Sequence, residues 1–590
     1  MKKSQGGKRM RTEFSMSNDK IIINFTNKYC KTFETLLESE AFRKVIDVYI
    51  KSIKKKNTTT FKFLTTSLET DDIAEIREHL AKVFKYLTVM GVKEIAKGSP
   101  KYEKLVLNRD ELIEVVEELY LFWRKLERYT LVDGGKIEEG IGAVSFTEAN
   151  AEFSNLILKL YRKVEKHIIG NPPKVFRQIP AGGNACIMIT PVVWPIPKGY
   201  EVLEDIPFMD SILIETPFIT YPKKSTRDGM FTEVYKNPLN YCNINGDHWF
   251  CYPAKVGESL AYIYFHKDYM SHGISLCNLF EMARKEECRG RKPDLVYVFG
   301  ASDDDNDLKT VFYHDKENDI MLGYINHSDE VDYFGYIKKM SLTLHNLRMI
   351  DKGYLPIHGA MVNIVLNNGK TANVVIMGDS GAGKSESIEA FRALSEDYIS
   401  EMTVIFDDMG TFKIENDKIY GYGTEIGAFV RLDDLDQGYA FKEMDRSIFM
   451  NPDKINARLI MPITPYKKII QGHKVDFFFY ANNYSKVEDG KSLEYFETPE
   501  EAIKVFRAGA RMAKGTTTEK GLVESFFANP FGPAQKEKET DILIKKYFDI
   551  MFNKAGVKVG QIKTALGVKG QEKNGPKNAA LQLFEEIKKL

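Results

Sequence analysis

The chain has little cysteine and no imbalance of charge. Its 590 residues include six cysteines, at positions 30, 186, 242, 251, 277 and 288, without a C-x-x-C pair or a zinc-like cluster. A disulfide framework and a structural zinc site are therefore not expected, and we predict reduced, mostly buried thiols in a cytoplasmic protein. Because 83 basic residues balance 83 acidic ones, the composition predicts no nucleic-acid or membrane partner.

Long apolar runs are also missing. The longest one, around residues 185–196, is too short and too interrupted by proline to span a bilayer. The first dozen residues are basic but lack the apolar core of a signal peptide. This start favours a disordered tail over a targeting sequence.

The length predicts roughly two to four domains. The pattern along the chain divides it into a basic tail (1–15), a mainly helical region (16–171), a mixed α/β lobe (172–330) and a motif-rich domain (331–590). Within the helical region, residues 71–87 carry a helical apolar stripe, at 73, 76, 80, 83, 84 and 87. These stripes indicate core packing, and we assign the region no chemistry.

The α/β lobe carries weaker signals. Arg177 precedes a glycine-rich turn at 182–183. The segment could hold an anionic substrate, or it could be an ordinary surface turn. The acidic residues 303–307 lack the glycine and the closing glutamate of an EF-hand loop, so a solvated turn is expected there.

The strongest signal is the segment 378–385 (GDSGAGKS), which fits the phosphate-binding pattern G-x-x-x-x-G-K-[ST]. A β-branched run at 373–377 predicts a buried strand before it, and the apolar spacing in 385–394 predicts a helix after it. Glycines let backbone N–H groups turn toward an anion, and the helix N-terminus adds the positive end of its dipole. We expect Lys384 to bind the outer phosphates and Ser385 to bind Mg²⁺.

A second motif follows the phosphate loop. Residues 402–408 (MTVIFDD) form an apolar run that ends in Asp407 and Asp408. Such a strand places carboxylates at its C-terminal end, where they face nucleotide-bound Mg²⁺. The pair could instead begin a turn, but its position after the loop favours the functional interpretation.

The order of these motifs resembles the phosphoenolpyruvate carboxykinase family, with HPr kinase/phosphorylase as a related second candidate. Besides the phosphate loop and the aspartate pair, similar segments are 333–339 (YFGYIKK), 355–360 (LPIHGA), 425–431 (EIGAFVR), 456–463 (NARLIMPI), 513–521 (AKGTTTEKG) and 526–532 (FFANPFG). They resemble, in order, Tyr-Gly-Gly-Glu-Met-Lys-Lys, Met-His-Cys-Ser-Ala-Asn, Glu-Gly-Gly-Cys-Tyr-Ala-Lys, Asn-Thr-Arg-Val-Ser-Tyr-Pro-Ile, the mobile lid, and the segment behind it. The resemblance covers less than half of the chain, and residues 1–330 are assumed to supply the family's N-terminal lobe.

The resemblance implies a carboxykinase-like P-loop fold and a transition metal, usually Mn²⁺, held by Lys339, His358 and Asp408. A lysine ligates a metal only when neutral, so burial and the metal's charge must lower its pKa. Lys338 would stay charged and face the oxyanion.

The remaining implied roles concern the phosphoryl donor and the reaction. Arg458 and Arg431 would lie along the transferring phosphoryl group, and Ser385 would bind Mg²⁺ with Asp407 close by. The predicted donor-binding residues are Gly378, Asp379, Ser380, Gly381, Ala382, Gly383, Lys384, Ser385, Glu386 and Arg431. The predicted catalytic residues are Lys338, Lys384, Arg458, Asp407, Tyr333 and Arg177.

Some positions depart from the carboxykinase pattern. The loop lacks the usual Gly-x-Ser-Gly-Thr-Gly-Lys-Thr and is closer to that of HPr kinase, as is the pair His358–Gly359. No segment matches the Gly-Arg-Ser-Pro substrate loop, so Arg177 and Arg227 are both candidates for the substrate carboxylate. Asp379 places a carboxylate beside the phosphates, which leaves ATP, GTP and pyrophosphate open as donors.

Three hypotheses follow. The first is an enzyme that converts oxaloacetate to phosphoenolpyruvate and CO₂. The second is a kinase/phosphorylase acting on a protein or small-molecule hydroxyl, with Asp407 as general base. The third is a nucleotide-sensing or scaffold protein without turnover, which the long helical N-terminal region suggests.

Overall fold

The computed structural model describes residues 14–17, 20–24, 30–125, 127–131, 146–171, 175–178, 185–227, 229–244, 246–302, 308–379, 381–435, 438–487, 490–513, 521–568 and 575–590. The chain forms two compact units, Met1–Pro173 and Lys174–Leu590. Helices and strands occur in both, so the chain is mixed α/β, as predicted. Most of the basic tail, the acidic turn at 303–307 and most of the predicted lid lie outside the described residues. Within the described ranges, no helix is long and apolar enough to cross a membrane.

The first unit is mainly helical. Its described elements are β1 (Phe14–Ser17), β2 (Lys20–Asn24), α1 (Phe33–Leu37), α2 (Glu40–Lys56), α3 (Thr59–Leu68), α4 (Ile73–Leu87), α5 (Val92–Gly98), α6 (Glu103–Leu107), α7 (Arg109–Lys125), β3 (Glu127–Leu131) and α8 (Phe146–Ile169). Strand β2 pairs with β1 antiparallel and with β3 parallel. Helix α4 packs on α2 and buries the predicted stripe apart from the half-buried Ile73: Ile76, Leu80, Val83, Phe84 and Leu87.

The second unit is built around sheets. Its described strands are β4 (Val175–Gln178), β5 (Ala185–Thr190), β6 (Phe208–Glu215), β7 (Phe218–Thr220), β8 (Thr232–Val234), β9 (Trp249–Val256), β10 (Ser259–His266), β11 (Glu281–Met282), β12 (Leu295–Ala301), β13 (Thr310–Asp315), β14 (Ile320–Asn326), β15 (Leu355–Leu366), β16 (Thr371–Met377), β17 (Ile399–Phe406), β18 (Met409–Glu415), β19 (Lys418–Gly423), β20 (Gly427–Arg431), β21 (Ile448–Met450), β22 (Arg458–Pro462), β23 (His473–Lys474), β24 (Phe477–Asn482), β25 (Leu493–Tyr495), β26 (Arg511–Met512), β27 (Leu522–Val523) and β28 (Lys558–Lys563).

Helices connect and cover these strands. Those described in the second unit are α9 (Met270–Ser275), α10 (Lys285–Cys288), α11 (Phe334–Asp351), α12 (Lys384–Ala393), α13 (Ser395–Tyr398), α14 (Tyr439–Lys442), α15 (Tyr466–Ile470), α16 (Pro499–Ala508), α17 (Glu537–Ile550) and α18 (Gly575–Lys588).

Two large mixed sheets dominate this unit. The lobe sheet has the order β4-β6-β9-β10-β12-β14-β13-β8, with β5 beside β6 and β11 beside β9. The phosphate-loop sheet has the order β23-β19-β18-β15-β16-β24-β28-β25, with β17 beside β15. A smaller sheet, β20-β22-β21-β7, joins β7 to strands from the later part of the chain. The expected boundary between residues 330 and 331 therefore falls inside one compact unit.

Helix α11 contacts strands of both large sheets, among them β12, β14 and β15. It is buried along nearly its whole length, because apolar side chains occur on all its faces. A short 3₁₀ turn at Asp329–Val331 precedes it. The helix carries Lys338 and Lys339 into the interior of the unit.

Candidate functional site

The phosphate loop connects β16 to α12, as its flanking sequence predicts. Gly381 and Gly383 have φ angles of +82° and +112°, which L side chains rarely adopt. A Cβ atom on Gly383 would also lie 2.7 Å from the Thr564 side chain. Thr564 Oγ1 donates to the Ala382 carbonyl at 3.1 Å, and Asn483 Nδ2 donates to the Gly381 carbonyl at 3.0 Å. The loop is therefore fixed from two sides.

Two residues of the loop motif are not fully described. Ser380 lies outside the described residues. Ser385 belongs to α12, but its side chain is not described. Glu386 is half-buried in the first turn of that helix. Lys384 is buried, with its Nζ 2.5 Å from the Gly378 carbonyl and 3.4 Å from His358 Nε2. Burial lowers the pKa of Lys384, and nearby carboxylates such as Asp408 oppose this.

Asp408 is the centre of a buried cluster of charges. It lies in the turn between β17 and β18, and its Oδ2 is 2.7 Å from Lys338 Nζ and 2.5 Å from Lys339 Nζ. Its Oδ1 is 3.1 Å from Nε2 of His358 in β15. Burial raises the pKa of Asp408, but the two ammonium groups outweigh burial and hold it well below its usual range. Asp408 is therefore a carboxylate when the site is folded.

The two neighbouring lysines have pKa values shifted in opposite directions. Burial lowers the pKa of Lys338, but the carboxylates of Asp408 and Glu425 raise it by more than burial lowers it. The pKa therefore lies above its usual value, and this lysine stays charged. Burial lowers the pKa of Lys339 to about 8, with Asp408 opposing the shift and Lys338 adding to it. Lys339 can therefore lose its proton near neutral pH, which a metal-ligating lysine requires.

His358 is oriented by its other ring nitrogen. Its Nδ1 lies 2.6 Å from the Ala528 carbonyl, which can only accept, so Nδ1 carries the proton. Burial lowers the pKa of His358, followed by the charge of Lys384, and this favours the neutral ring. The Nε2 lone pair then faces a carboxylate oxygen of Asp408, an arrangement that a cation between them stabilises.

These donors fit a transition metal. Two nitrogens approach the carboxylate of Asp408: Lys339 Nζ lies 2.5 Å from Oδ2, and His358 Nε2 lies 3.1 Å from Oδ1. Such a mixed nitrogen and oxygen set suits a divalent ion such as Mn²⁺. Asp407, which precedes Asp408 in the chain, is half-buried, and burial, followed by the charge of Asp408, raises its pKa.

Two charged residues of the site were not among the predicted ones. Glu425 is almost fully buried, with Oε1 3.1 Å from Lys338 Nζ, and burial raises its pKa to about 7. Arg511 in β26 places its Nε 3.1 Å from Asp379 Oδ2 in the phosphate loop. The charge of Asp379 is thus already paired, which reduces the repulsion that it would exert on a phosphate. Glu425 begins a segment that resembles a carboxykinase motif, but nothing in the sequence pairs Arg511 with the loop.

The predicted arginines occupy different environments. Arg458 and Arg431 are direct partners across β22 and β20, and Arg431 binds Asp433, with Nε 3.1 Å from Oδ1. Arg458 lies 5.3 Å from the ring centroid of Phe429, and its buried Nε has no hydrogen-bond partner among the described residues. An unpartnered buried donor favours an anionic ligand at Arg458.

Tyr333 and Arg458 both lie beside the aromatic ring of Phe429. It precedes α11, is buried, and has its ring centroid 6.0 Å from that of Phe429. Burial raises its pKa, whereas the positive charge of Arg458 opposes this. Tyr333 is therefore a neutral hydroxyl beside two cations, Arg458 and Lys338.

Of the two candidates for the substrate carboxylate, Arg227 has a described side chain, and it lies near the cluster. Its guanidinium lies 5.1 Å from the ring of Phe231 and 5.2 Å from the ring of Phe531. The same Phe531 ring lies 4.5 Å from Lys339 Nζ. Arg177 pairs through its backbone in β4, and its side chain lies outside the described part of the chain.

Strands β26 and β27 form the stem of the predicted lid. They pair antiparallel, and the Ala513 amide donates to the Gly521 carbonyl at 2.9 Å. Through Arg511, this stem contacts Asp379 of the phosphate loop. Both ends of the predicted lid are therefore held close to the loop.

Comparison with known proteins found no family model and no curated protein that matches this sequence. The chemistry of the site must therefore follow from its own atoms.

Proposed function

We propose that the chain is a carboxykinase-like P-loop enzyme that converts oxaloacetate and a phosphoryl donor to phosphoenolpyruvate and CO₂. The observation that carries the proposal is the convergence of Lys339, His358 and Asp408 beside the phosphate-loop residue Lys384. A phosphate loop alone indicates only that a polyphosphate binds. A buried lysine with a lowered pKa, joined to a histidine and a carboxylate, adds a metal site next to those phosphates.

In this proposal the residues divide between donor and acceptor. The loop amides and Lys384 bind the phosphates of ATP, GTP or pyrophosphate, and Arg458 binds the transferring group through its unpartnered Nε. Arg227 holds a carboxylate of oxaloacetate, since its guanidinium lies over the same Phe531 ring as Lys339 Nζ. The pairing of Asp379 with Arg511 makes a fully charged triphosphate acceptable as donor.

The reaction then needs stabilisation of one oxyanion. The bond between the leaving carboxylate and its neighbouring carbon breaks, CO₂ departs, and the electron pair moves onto the enolate oxygen. Lys338 keeps its proton and stabilises that charge electrostatically. The enolate oxygen attacks the terminal phosphorus, and the spent donor leaves. Mn²⁺ held by Lys339, His358 and Asp408, with Mg²⁺ at Ser385, would supply Lewis-acid stabilisation of oxygen charge.

One observation favours a second candidate, a kinase of the HPr kinase type. Asp407 is half-buried and its pKa is raised by burial and by Asp408, which would suit a general base acting on a hydroxyl. In that case the acceptor would be a protein or small-molecule alcohol, and no carbon–carbon bond would break.

Release of CO₂ from oxaloacetate distinguishes these candidates. The assay combines the full chain, Mn²⁺, Mg²⁺ and ATP, GTP or pyrophosphate in turn, and follows phosphoenolpyruvate by ³¹P NMR. Reactions without protein subtract the decarboxylation that Mn²⁺ causes alone. We expect donor-dependent product that Lys339→Ala abolishes and Lys85→Ala, an exposed lysine of the first unit, preserves. Absence of product with every donor would refute the carboxykinase proposal, and hydroxyl phosphorylation lost in Asp407→Asn would establish the kinase.

A further inference from the structure

A histidine cluster lies at one edge of the lobe sheet, outside the residues used above. His266 ends β10, Asp268 follows two residues later, and His327 comes directly after β14. Strands β10, β12 and β14 are mutually parallel neighbours in the sheet. Their carboxyl ends therefore meet at the same edge, which brings the three side chains together.

Both imidazole rings approach one carboxylate oxygen. Asp268 Oδ2 lies 3.3 Å from His266 Nδ1 and 2.9 Å from His327 Nε2. One ligand atom from each of the three side chains lies within 4.8 Å of the others. Two nitrogens and one oxygen thus surround a common point, on a scale that one ion can bridge after small side-chain rotations.

The backbone beneath this cluster is held firmly. The His327 amide donates to the Ala301 carbonyl at 2.9 Å. Tyr269 O–H donates to the Ser328 carbonyl at 3.0 Å, and the Ser328 amide donates to the Tyr269 oxygen at 3.1 Å. The Tyr269 ring also packs edge-on against His327, with centroids 5.3 Å apart. Such support orients ligands before a metal binds and reduces the entropy lost on binding.

The three side chains are accessible to a metal from solution. Those of His266, Asp268 and His327 are 16%, 53% and 39% exposed, so an ion can reach them without opening the fold.

We propose that His266, Asp268 and His327 form a second site for a divalent first-row transition metal, separate from the phosphate-loop site. Two imidazoles and one carboxylate select such ions over Mg²⁺ and Ca²⁺, which prefer all-oxygen sites. Zn²⁺ fits as a four-coordinate ion with water in the remaining position. The ion would join the end of β10 to the segment after β14, and so stabilise this edge of the lobe sheet.

Zn²⁺ titration of the metal-stripped full chain in competition with a chromophoric chelator tests the site. We expect His327→Gln and Asp268→Asn each to bind one equivalent fewer than the wild type. His79→Gln, which removes a half-buried histidine of the first unit, serves as the matched control and should keep the wild-type number. Zn²⁺ should also raise the Tm of the wild type more than that of either variant.

The phosphate-loop metal site remains intact in all these variants, so its own equivalent serves as an internal reference. Equal numbers of bound Zn²⁺ in the wild type, His327→Gln and Asp268→Asn would overturn the proposal. That outcome is independent of whether oxaloacetate is decarboxylated, because none of the three residues belongs to the phosphate-loop site.

Discussion

Two groups of charged side chains, one in each unit, lie in opposite environments. In the first unit, Lys85 lies 3.0 Å from Glu34 and 2.6 Å from Glu38, and all three side chains are at least 45% exposed. In the second unit, Lys338 contacts Asp408 and Glu425, and the exposed fractions are 1%, 20% and 2%. Water screens the first arrangement, whereas the second costs several kcal/mol of lost hydration for each ion.

Stability alone does not explain the buried charged cluster of the second unit. Apolar side chains of similar volume often stabilise a protein interior at least as much as a buried ion pair does. The second unit nevertheless buries lysines, carboxylates and a histidine together at the phosphate loop, and their pKa values shift in different directions. Clusters of perturbed groups are characteristic of functional sites. The pairs that Lys85 makes in the first unit are of the ordinary surface kind.

The largest expected effect comes from removing the central carboxylate. Asp408→Ala leaves Lys338 and Lys339 without their shared partner, so we expect the free energy of unfolding to fall by about 3–5 kcal/mol. Glu38→Ala in the first unit should leave the urea midpoint unchanged within error, because water replaces the lost partner of Lys85. Equal midpoints for both variants would mean that the buried cluster is no more sensitive than a surface pair.

Removing the phosphate-loop lysine should separate activity from stability. We expect Lys384→Ala to lower the rate of the proposed phosphoryl transfer by about 10²–10³-fold, because the cation proposed to face the phosphates is lost. Its unfolding free energy should stay constant or rise, since burial already disfavours the charged form of Lys384. Lys85→Ala should alter neither quantity. A large loss of stability in Lys384→Ala would instead mean that this lysine is a structural ion.

A buried histidine away from the proposed metal ligands gives the two units different responses to pH. His345 in α11 is buried, and burial lowers its pKa from 6.5 to about 4. Between these values the unfolded chain binds a proton that the folded chain does not, so stability rises with pH through this window and falls on acidification. The change amounts to about 3 kcal/mol across the window.

Urea unfolding between pH 4 and 7 measures this linkage. His345→Gln should lose that part of the pH dependence. His79 in the first unit is partly exposed, and burial lowers its pKa, so His79→Gln should flatten the profile less. An unchanged profile for His345→Gln would show that His345 does not contribute to acid sensitivity.

The contrast between the units also explains what the sequence predicts. Strand β16 and helix α12 follow from a β-branched run, glycines and a helical apolar spacing, all of which are local patterns. The stripe of α4 is local too. Helix α11 has apolar residues on every face, so no period distinguishes its start from a strand.

Contacts that join distant parts of the chain are not encoded in a local pattern. The pair Asp379–Arg511 links the phosphate loop to a strand more than a hundred residues later in the sequence, and the burial of Glu425 depends on packing around α11. The resemblance to carboxykinase motifs supplied the lysines, His358 and Asp408 as candidates. Which arginine faces these residues depends on tertiary structure. Arg227 lies beside Phe531, whereas the side chain of Arg177 is not described.

The smallest expected effect separates two adjacent carboxylates of the first unit. Asp72 is the N-cap of α4, and its Oδ1 accepts from the Glu75 amide at 2.9 Å. Asp71 lies beside it and only approaches Lys54 Nζ, at 3.8 Å, with its side chain 85% exposed. Asp72→Ala should cost about 1 kcal/mol, because a backbone N–H loses its partner at the positive end of the helix dipole. Asp71→Ala should cost nothing measurable.

Hydrogen exchange across α4 and urea unfolding of both variants give the comparison. Equal losses would mean that exposed ion pairs stabilise the first unit as much as helix capping does, which removes the contrast between the units. A loss confined to Asp72→Ala would show that, on the surface, the bonded geometry of a carboxylate matters more than its charge. At the phosphate loop, by contrast, the charge itself is the sensitive property, since Asp408 there is surrounded by ammonium groups that water does not reach freely.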